Sequence, residues 1–215
     1  MDEELEPPGG AADGFSPRRL DSAELLCGVS VVGAMLMAAA GAWAGALFLV
    51  LTLIGILVLR RLRLPTGFEL SFAIAIVLQG WGNALLLFER VGWYDKAVHF
   101  LTPMLVVPSL YLLLARAGAV APAWGAGLRR GTLGLLVVTI ALGTALAALW
   151  ELVEGSADRL LGTSLAHGYF ETIDDLYSSL LGSVSAGTLL AWLVMARDRE
   201  LGSDGVAAEA LTERE

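Results

Sequence analysis

The sequence predicts an all-α bundle of six transmembrane helices, polytopic in the membrane, with both ends of the chain in the cytoplasm. Three observations carry that expectation. Of 215 residues, 56% are hydrophobic and only 17% charged, a balance that belongs to a bilayer protein rather than to a soluble domain of this length. The apolar residues gather in runs long enough to cross a membrane. The 14 Lys and Arg residues are divided very unevenly among the segments that join those runs.

A crossing helix needs about 20 apolar residues to cover about 30 Å of hydrocarbon. The first run, Leu25 to Leu59, has 35 residues without a charge and is too long for one crossing. Gly41, Trp43 and Gly45 mark its break, which gives spans at 22–41 and 44–61. Four more follow at 68–88, 97–116, 130–153 and 174–196. The membrane domain is therefore 22–196. The flanking stretches 1–21 and 197–215 are rich in Gly, Ala and Glu and poor in aromatics, the composition of disordered cytoplasmic tails. The first twenty residues are acidic and polar, without the basic start and short apolar core of a cleavable signal, so the first span is expected to act as an uncleaved anchor.

The basic residues test the count independently. With the N-terminus inside, the cytoplasmic segments hold Arg18, Arg19, Arg60, Arg61, Arg63, Arg116, Arg129, Arg130, Arg197, Arg199 and Arg214; only Arg90, Lys96 and Arg159 fall outside. One missed or invented helix would scramble this asymmetry. The expected location is the bacterial cytoplasmic (inner) membrane, crossed many times. The longest outer connection, Gly155 to Glu171, is long enough to fold over the bundle as a lid. A formal net charge of -8 argues against nucleic acid as a partner and leaves membrane lipid as the expected one. The single cysteine, Cys27, excludes an internal disulfide and a paired-cysteine metal site, and reads as a small buried hydrophobe.

Three polar clusters fall at the outer ends of the last four spans. The first, Trp93-Tyr94-Asp95-Lys96-Ala97-Val98-His99-Phe100, opens the span at 97–116. Asp95 and His99 are four apart and Lys96 and His99 three apart, so both pairs are neighbours on the helix surface. The second, Trp150-Glu151-Leu152-Val153-Glu154, closes the next span with two carboxylates three apart. The third, Thr172-Ile173-Asp174-Asp175-Leu176, opens the last span, with Ser178, Ser179 and Gly182 on the Asp175 side.

Structure alone accounts for part of this. Thr172 with Asp175 fits a capping box, and acids at a helix start suit its dipole. Asp95 with Lys96 reads equally as an interfacial ion pair beside the aromatic belt of Trp93 and Tyr94. Glu151 and Glu154 resist such a reading, because carboxylates at a helix C-terminus meet an unfavourable dipole and a membrane carboxylate costs a few kcal/mol. Lys96, Arg159, a protonated His99 or a bound cation would compensate them. Ala147, Ala148 and Thr144 are small and turn the Glu151 face toward other helices, and Ser178, Gly182 and Ala186 form a similar row. The clusters are thus expected to converge. His99, Glu151, Glu154, Asp95 and Asp175 are the candidate acid–base residues. Glu151, Glu154, His99 and Asp174 are the candidate ligands of a divalent cation, the one cofactor this chemistry calls for. No HExxH or paired-His spacing supports the metal independently. Gln79 and Asn83, four apart beside Gly80 and Gly82, read as an interhelical hydrogen-bonding pair, and His167 as an exposed loop residue.

The pattern Asp95-Lys96-x-x-His99-Phe100, then Trp150-Glu151-x-x-Glu154, then Asp174-Asp175-Leu176 with Gly182 seven residues beyond Asp175, resembles the YjdF-like family of bacterial inner-membrane proteins. More loosely it resembles the VanZ-like family, in which the second motif ends in Gln and the third carries Asn before the glycine. Here those places belong to Glu154 and Ser179, which favours the YjdF-like branch and argues against carrying over a glycopeptide-resistance role. The resemblance covers about residues 68 to 190. It brings no activity with it, but implies that Asp95, Lys96, His99, Glu151, Glu154, Asp174 and Asp175 form one site.

Three functions stay open on the sequence. One is an enzyme or lipid-modifying factor acting on an envelope lipid or lipid-linked substrate, with Glu151 and Glu154 as acid–base groups or cation ligands, His99 as proton carrier and Asp95 as its orienter. A second is a cation, proton or small-solute binder or transporter. The small size and the lack of an inverted repeat weigh against transport, although a homodimer would supply both. The third is a structural membrane protein whose charges only pair helices.

Overall fold

A computed structural model of the chain describes residues 22–121, 128–162 and 168–212. Every element among them is a helix: α1 (Ser22–Ala39), α2 (Trp43–Arg61), α3 (Thr66–Ala84), the single turn α4 (Leu87–Arg90), α5 (Tyr94–Arg116), α6 (Leu128–Leu161) and α7 (Tyr169–Thr212). The N-terminal stretch 1–21 and His167 lie outside the described residues.

Five of the helices, α1, α2, α5, α6 and α7, are long and apolar enough to cross a membrane. The exception is α3. It has 19 residues, as α2 does, but Glu69, Gln79 and Asn83 lower its hydropathy. Apolar side chains point outward along the bundle, among them Val32, Leu51, Ile54, Val137, Leu149 and Leu189, as expected where the surrounding medium is hydrocarbon.

The helices pack as two sets. α1, α2 and α3 form one and α5, α6 and α7 the other, and the α3–α5 seam joins them. Small residues allow the close approaches that packing in lipid requires. A methyl group at Gly80 would overlap Thr52, one at Gly143 would overlap Ser183, and one at Gly182 would overlap the carbonyl of Phe100. Tyr94 pins the seam by donating its hydroxyl to the backbone carbonyl of Leu78 at 2.7 Å.

Several local expectations change. The described parts of the connection 155–171 are helix and not an extended lid: α6 continues to Leu161 and α7 begins at Tyr169, with 163–167 outside the described residues. Apolar content marks where a bilayer ends, and a helix with satisfied backbone bonds need not stop there. Gly162, at φ +67, supplies the left-handed residue that ends α6, and its N–H bonds to the carbonyl of Asp158 at 3.1 Å. At the other end α7 runs on to Thr212, into the stretch that composition reads as tail. The capping box also falls away. Thr172 is not the first residue of its helix, since its N–H already bonds to Gly168 O at 3.1 Å. Asp175 therefore sits in the second turn, where no capping role explains it. On α6 Ala147 is buried, but Ala148 and Thr144 are exposed, so the inward stripe runs through Leu135, Thr139, Gly143 and Ala147.

Charge separates along the bundle axis. At one end Arg60 lies 3.7 Å from Glu24 and 3.8 Å from Glu69, and Arg116 donates to the carbonyl of Arg63 at 3.1 Å. The opposite end, where α3 and α6 finish and α5 and α7 begin, carries the acidic clusters.

Candidate functional site

The site is built on a defect in α5. Pro103 lies inside this helix and has no N–H, so the carbonyl four residues earlier, that of His99, loses its helical donor. Ser179 of α7 replaces it, with Oγ donating to His99 O at 3.0 Å. The same Oγ lies 3.3 Å from His99 Nδ1. Gly182, one turn further along α7, lets this approach happen because a side chain there would strike the Phe100 carbonyl. The imidazole is thereby fixed from behind by a residue 80 positions away.

On the other edge of the ring, Nε2 lies 3.5 Å from Asp95 Oδ1, one turn earlier in α5. Asp175 closes the group: a ligand atom from each of Asp95, His99 and Asp175 lies within 4.8 Å of the others. His99 is 9% and Asp175 4% exposed, and Asp175 Oδ1 has no hydrogen-bond partner.

The adjacent Asp174 points the other way. Its Oδ2 pairs with Lys96 Nζ at 3.0 Å on the surface. This pairing removes Lys96 as the compensating charge for Glu151. Glu154 accepts from Trp150 Nε1 at 2.7 Å within the same helix. Glu151 keeps Oε1 buried and unpartnered. Both Glu151 and Asp95 lie close enough to Asp175 to act on its charge. Asp95, His99 and Asp175 thus come together, while Asp174, Glu151 and Glu154 stand around them and not in the group.

A cavity of about 130 Å³ adjoins His99 and Ser179 and reaches between α3, α5, α6 and α7. Val98, Pro103, Gly143, Leu146 and Ala147 make most of its wall, and Gln79, Thr102 and Trp150 add polar points. Gln79 Oε1 and Thr102 Oγ1 are buried there without a partner. An apolar chamber with a few unmatched polar atoms beside a charged cluster is the general form of a ligand site. The expected Gln79–Asn83 pair does not bridge helices; Asn83 Nδ2 donates to the backbone carbonyl of Gln79 at 2.8 Å, within α3.

A family model described as a predicted membrane protein, DUF2238, matches residues 22–197. The chain belongs to the DUF2238 family. No curated protein and no solved structure matches it. In this DUF2238 member the matched region begins at the first residue of α1 and takes in the whole Asp95–His99–Asp175 group, its flanking carboxylates and the cavity.

Sequence reasoning placed Ser179 beside Asp175 but not its bond to the His99 carbonyl, and it missed Thr102, Pro103 and the placement of Gln79. One signal was present. A proline four residues after a histidine on one helix frees that histidine's carbonyl, and a serine on another inward-facing helix is a natural donor for it.

Proposed function

We propose that this protein crosses the bacterial cytoplasmic membrane six times with both ends inside, and acts at its outer leaflet on an envelope lipid or a lipid-linked molecule. α3 counts as the sixth crossing because its 19 residues rise about 28 Å at 1.5 Å each. Of its polar groups, Gln79 faces the cavity, Asn83 bonds to its own backbone and Glu69 pairs with Arg60 at the basic end. The orientation rests on the basic residues, with Arg60, Arg61, Arg63 and Arg116 at the end opposite the acidic group. Trp43, Trp93, Tyr169 and Phe170, all strongly exposed, lie at the acidic end, where an interfacial aromatic belt would sit. The motifs that resemble the YjdF-like family fall on the same end.

The observation that carries the reading is the juxtaposition of the Asp95–His99–Asp175 group, in which His99 and Asp175 are buried, with a mostly apolar cavity lined by His99, where Gln79 and Thr102 lack partners. A molecule with a polar head and a hydrocarbon part matches both: its head meets His99 and the carboxylates, and its apolar part meets the walls from Val98 to Ala147. The test compares envelope lipids by mass spectrometry in cells with and without the chain. Removal should change the profile and the chain should restore it, whereas His99→Gln and the cavity-filling Ala147→Trp should not at equal membrane abundance. An unchanged profile on removal, or full restoration by both variants, overturns the reading.

A further inference from the structure

The hydrogen bonds around His99 determine which of its nitrogens is free. A serine hydroxyl has one proton to give, and Ser179 gives it to His99 O, the carbonyl that Pro103 leaves without a donor. Toward His99 Nδ1, 3.3 Å away, the same oxygen can then only accept. Nδ1 therefore carries the hydrogen, and in the neutral ring Nε2 presents a bare lone pair. That lone pair faces Asp95 Oδ1 at 3.5 Å, and Asp175 brings a carboxylate oxygen into the same group, in which one ligand atom from each residue lies within 4.8 Å of the others. Three acceptors converge with no donor among them. Lys96, the nearby cation, hydrogen-bonds Asp174 and reaches Asp175 and Asp95 only through space.

Something positive belongs at the centre. A proton, whether on Nε2 or on one of the carboxyl groups, would offset only one of the two carboxylate charges. A divalent cation offsets both charges and takes all three lone pairs. We propose that Asp95, His99 and Asp175 coordinate one divalent first-row transition-metal cation, with Ser179 as the outer partner that sets the imidazole. Outer hydrogen bonds of this kind fix the tautomer and direction of metal-binding histidines.

The ligand set selects among ions. One imidazole nitrogen with two carboxylates suits Zn²⁺, Mn²⁺ or Fe²⁺, whereas Ca²⁺ gathers six to eight oxygens. Metal–ligand distances of about 2.0 to 2.2 Å put the ligand atoms of one tetrahedral ion about 3.3 to 3.6 Å apart, so a group whose ligand atoms lie within 4.8 Å of one another would draw together by about 1 Å around it. Three protein ligands leave a position open, which is the pattern of ions that meet a substrate and not of closed structural ones. The inference deepens the proposed lipid site by naming what its charged group would hold toward the lipid head.

The full chain, stripped with chelator and placed in phosphatidylcholine nanodiscs, is dialysed against Zn²⁺ with Ca²⁺ in excess, and bound metal is counted by mass spectrometry. One Zn²⁺ per chain is expected. Asp95→Asn and Asp175→Asn should abolish stoichiometric retention, and Ser179→Ala should weaken binding by about 10- to 100-fold with the stoichiometry still one. His99→Gln, checked for folding by gel filtration and thermal midpoint without metal, serves where an aspartate variant does not fold, and should also lose the ion. No stoichiometric retention by the parent chain, unchanged retention in a folded variant, or full displacement by Ca²⁺ overturns the proposal. These discs contain no envelope lipid, so failure here leaves the lipid comparison standing. One bound Zn²⁺ with an unchanged lipid profile would instead leave the metal site and remove the lipid role.

Discussion

Asp174 and Asp175 are neighbours in sequence and opposite in environment: Asp174 pairs with Lys96 at the surface at 3.0 Å, and Asp175 turns into the bundle beside His99. The first expected outcome follows from that split. The Lys96 and Asp174 side chains are 47% and 62% exposed, so water screens the pair and either Lys96→Met or Asp174→Asn should cost about 1 kcal/mol or less. Glu151→Gln should not be rescued by Lys96→Met, because Lys96 is bonded elsewhere. Thermal midpoints in detergent of the single and double variants check this, and recovery of the double variant would show that Lys96 compensates Glu151 after all.

Ser179 and Pro103 should be energetically coupled through a carbonyl that neither of them owns. Ser179→Ala leaves His99 O buried without a donor, a loss of about 1 to 3 kcal/mol. In a Pro103→Ala background the helix supplies its own N–H to that carbonyl, so Ser179→Ala should cost visibly less. A double-mutant cycle on unfolding midpoints reads the difference, with a coupling of about 0.5 to 3 kcal/mol expected for groups sharing one partner. Strict additivity would mean that the cost of losing Ser179 does not depend on the acceptor that Pro103 leaves open, and would break the proposed link.

The six-crossing topology can be read with cysteine labelling in intact cells, in a chain where Cys27 is replaced by Ala. A reagent that cannot cross the membrane should modify Ser156→Cys, which follows the acidic end of the bundle, and should spare Ala119→Cys, which follows Arg116. Both positions are exposed in the fold. Reversed labelling would move the acidic group to the cytoplasm, and labelling of both from outside would require an even number of crossings between them, against the single crossing by α6.

The amino-acid sequence made the helices legible and their ends much less so. Hydropathy placed a span at 44–61 against an observed Trp43–Arg61, because charge and turn residues flank that run closely. It closed a span at 153 where α6 continues to Leu161, since the last two turns are polar enough to leave the bilayer yet still form helix. The site was legible as a set of motifs but not as a geometry. Nothing in an Asp-Asp pair says which carboxylate faces inward; that depends on how α7 lies against α5, which Gly182 and the Phe100 carbonyl decide. Glu151 drew attention by its unfavourable helix end, yet the residue that joins His99 is Asp175, whose burial the apparent capping box had concealed.

The vacancy that Pro103 leaves in the hydrogen-bond ladder of α5 also bears on how the protein is made. A ribosome delivers α5 to the membrane two long helices before α7, so the His99 carbonyl enters the bilayer with its native donor still unsynthesised. Until Ser179 arrives, a segment in apolar surroundings carries an unmet acceptor, a condition that membranes tolerate poorly. The newborn α5 thus has a reason to linger near the insertion machinery or near water, and the docking of α7 closes the ladder and aims the imidazole in one event.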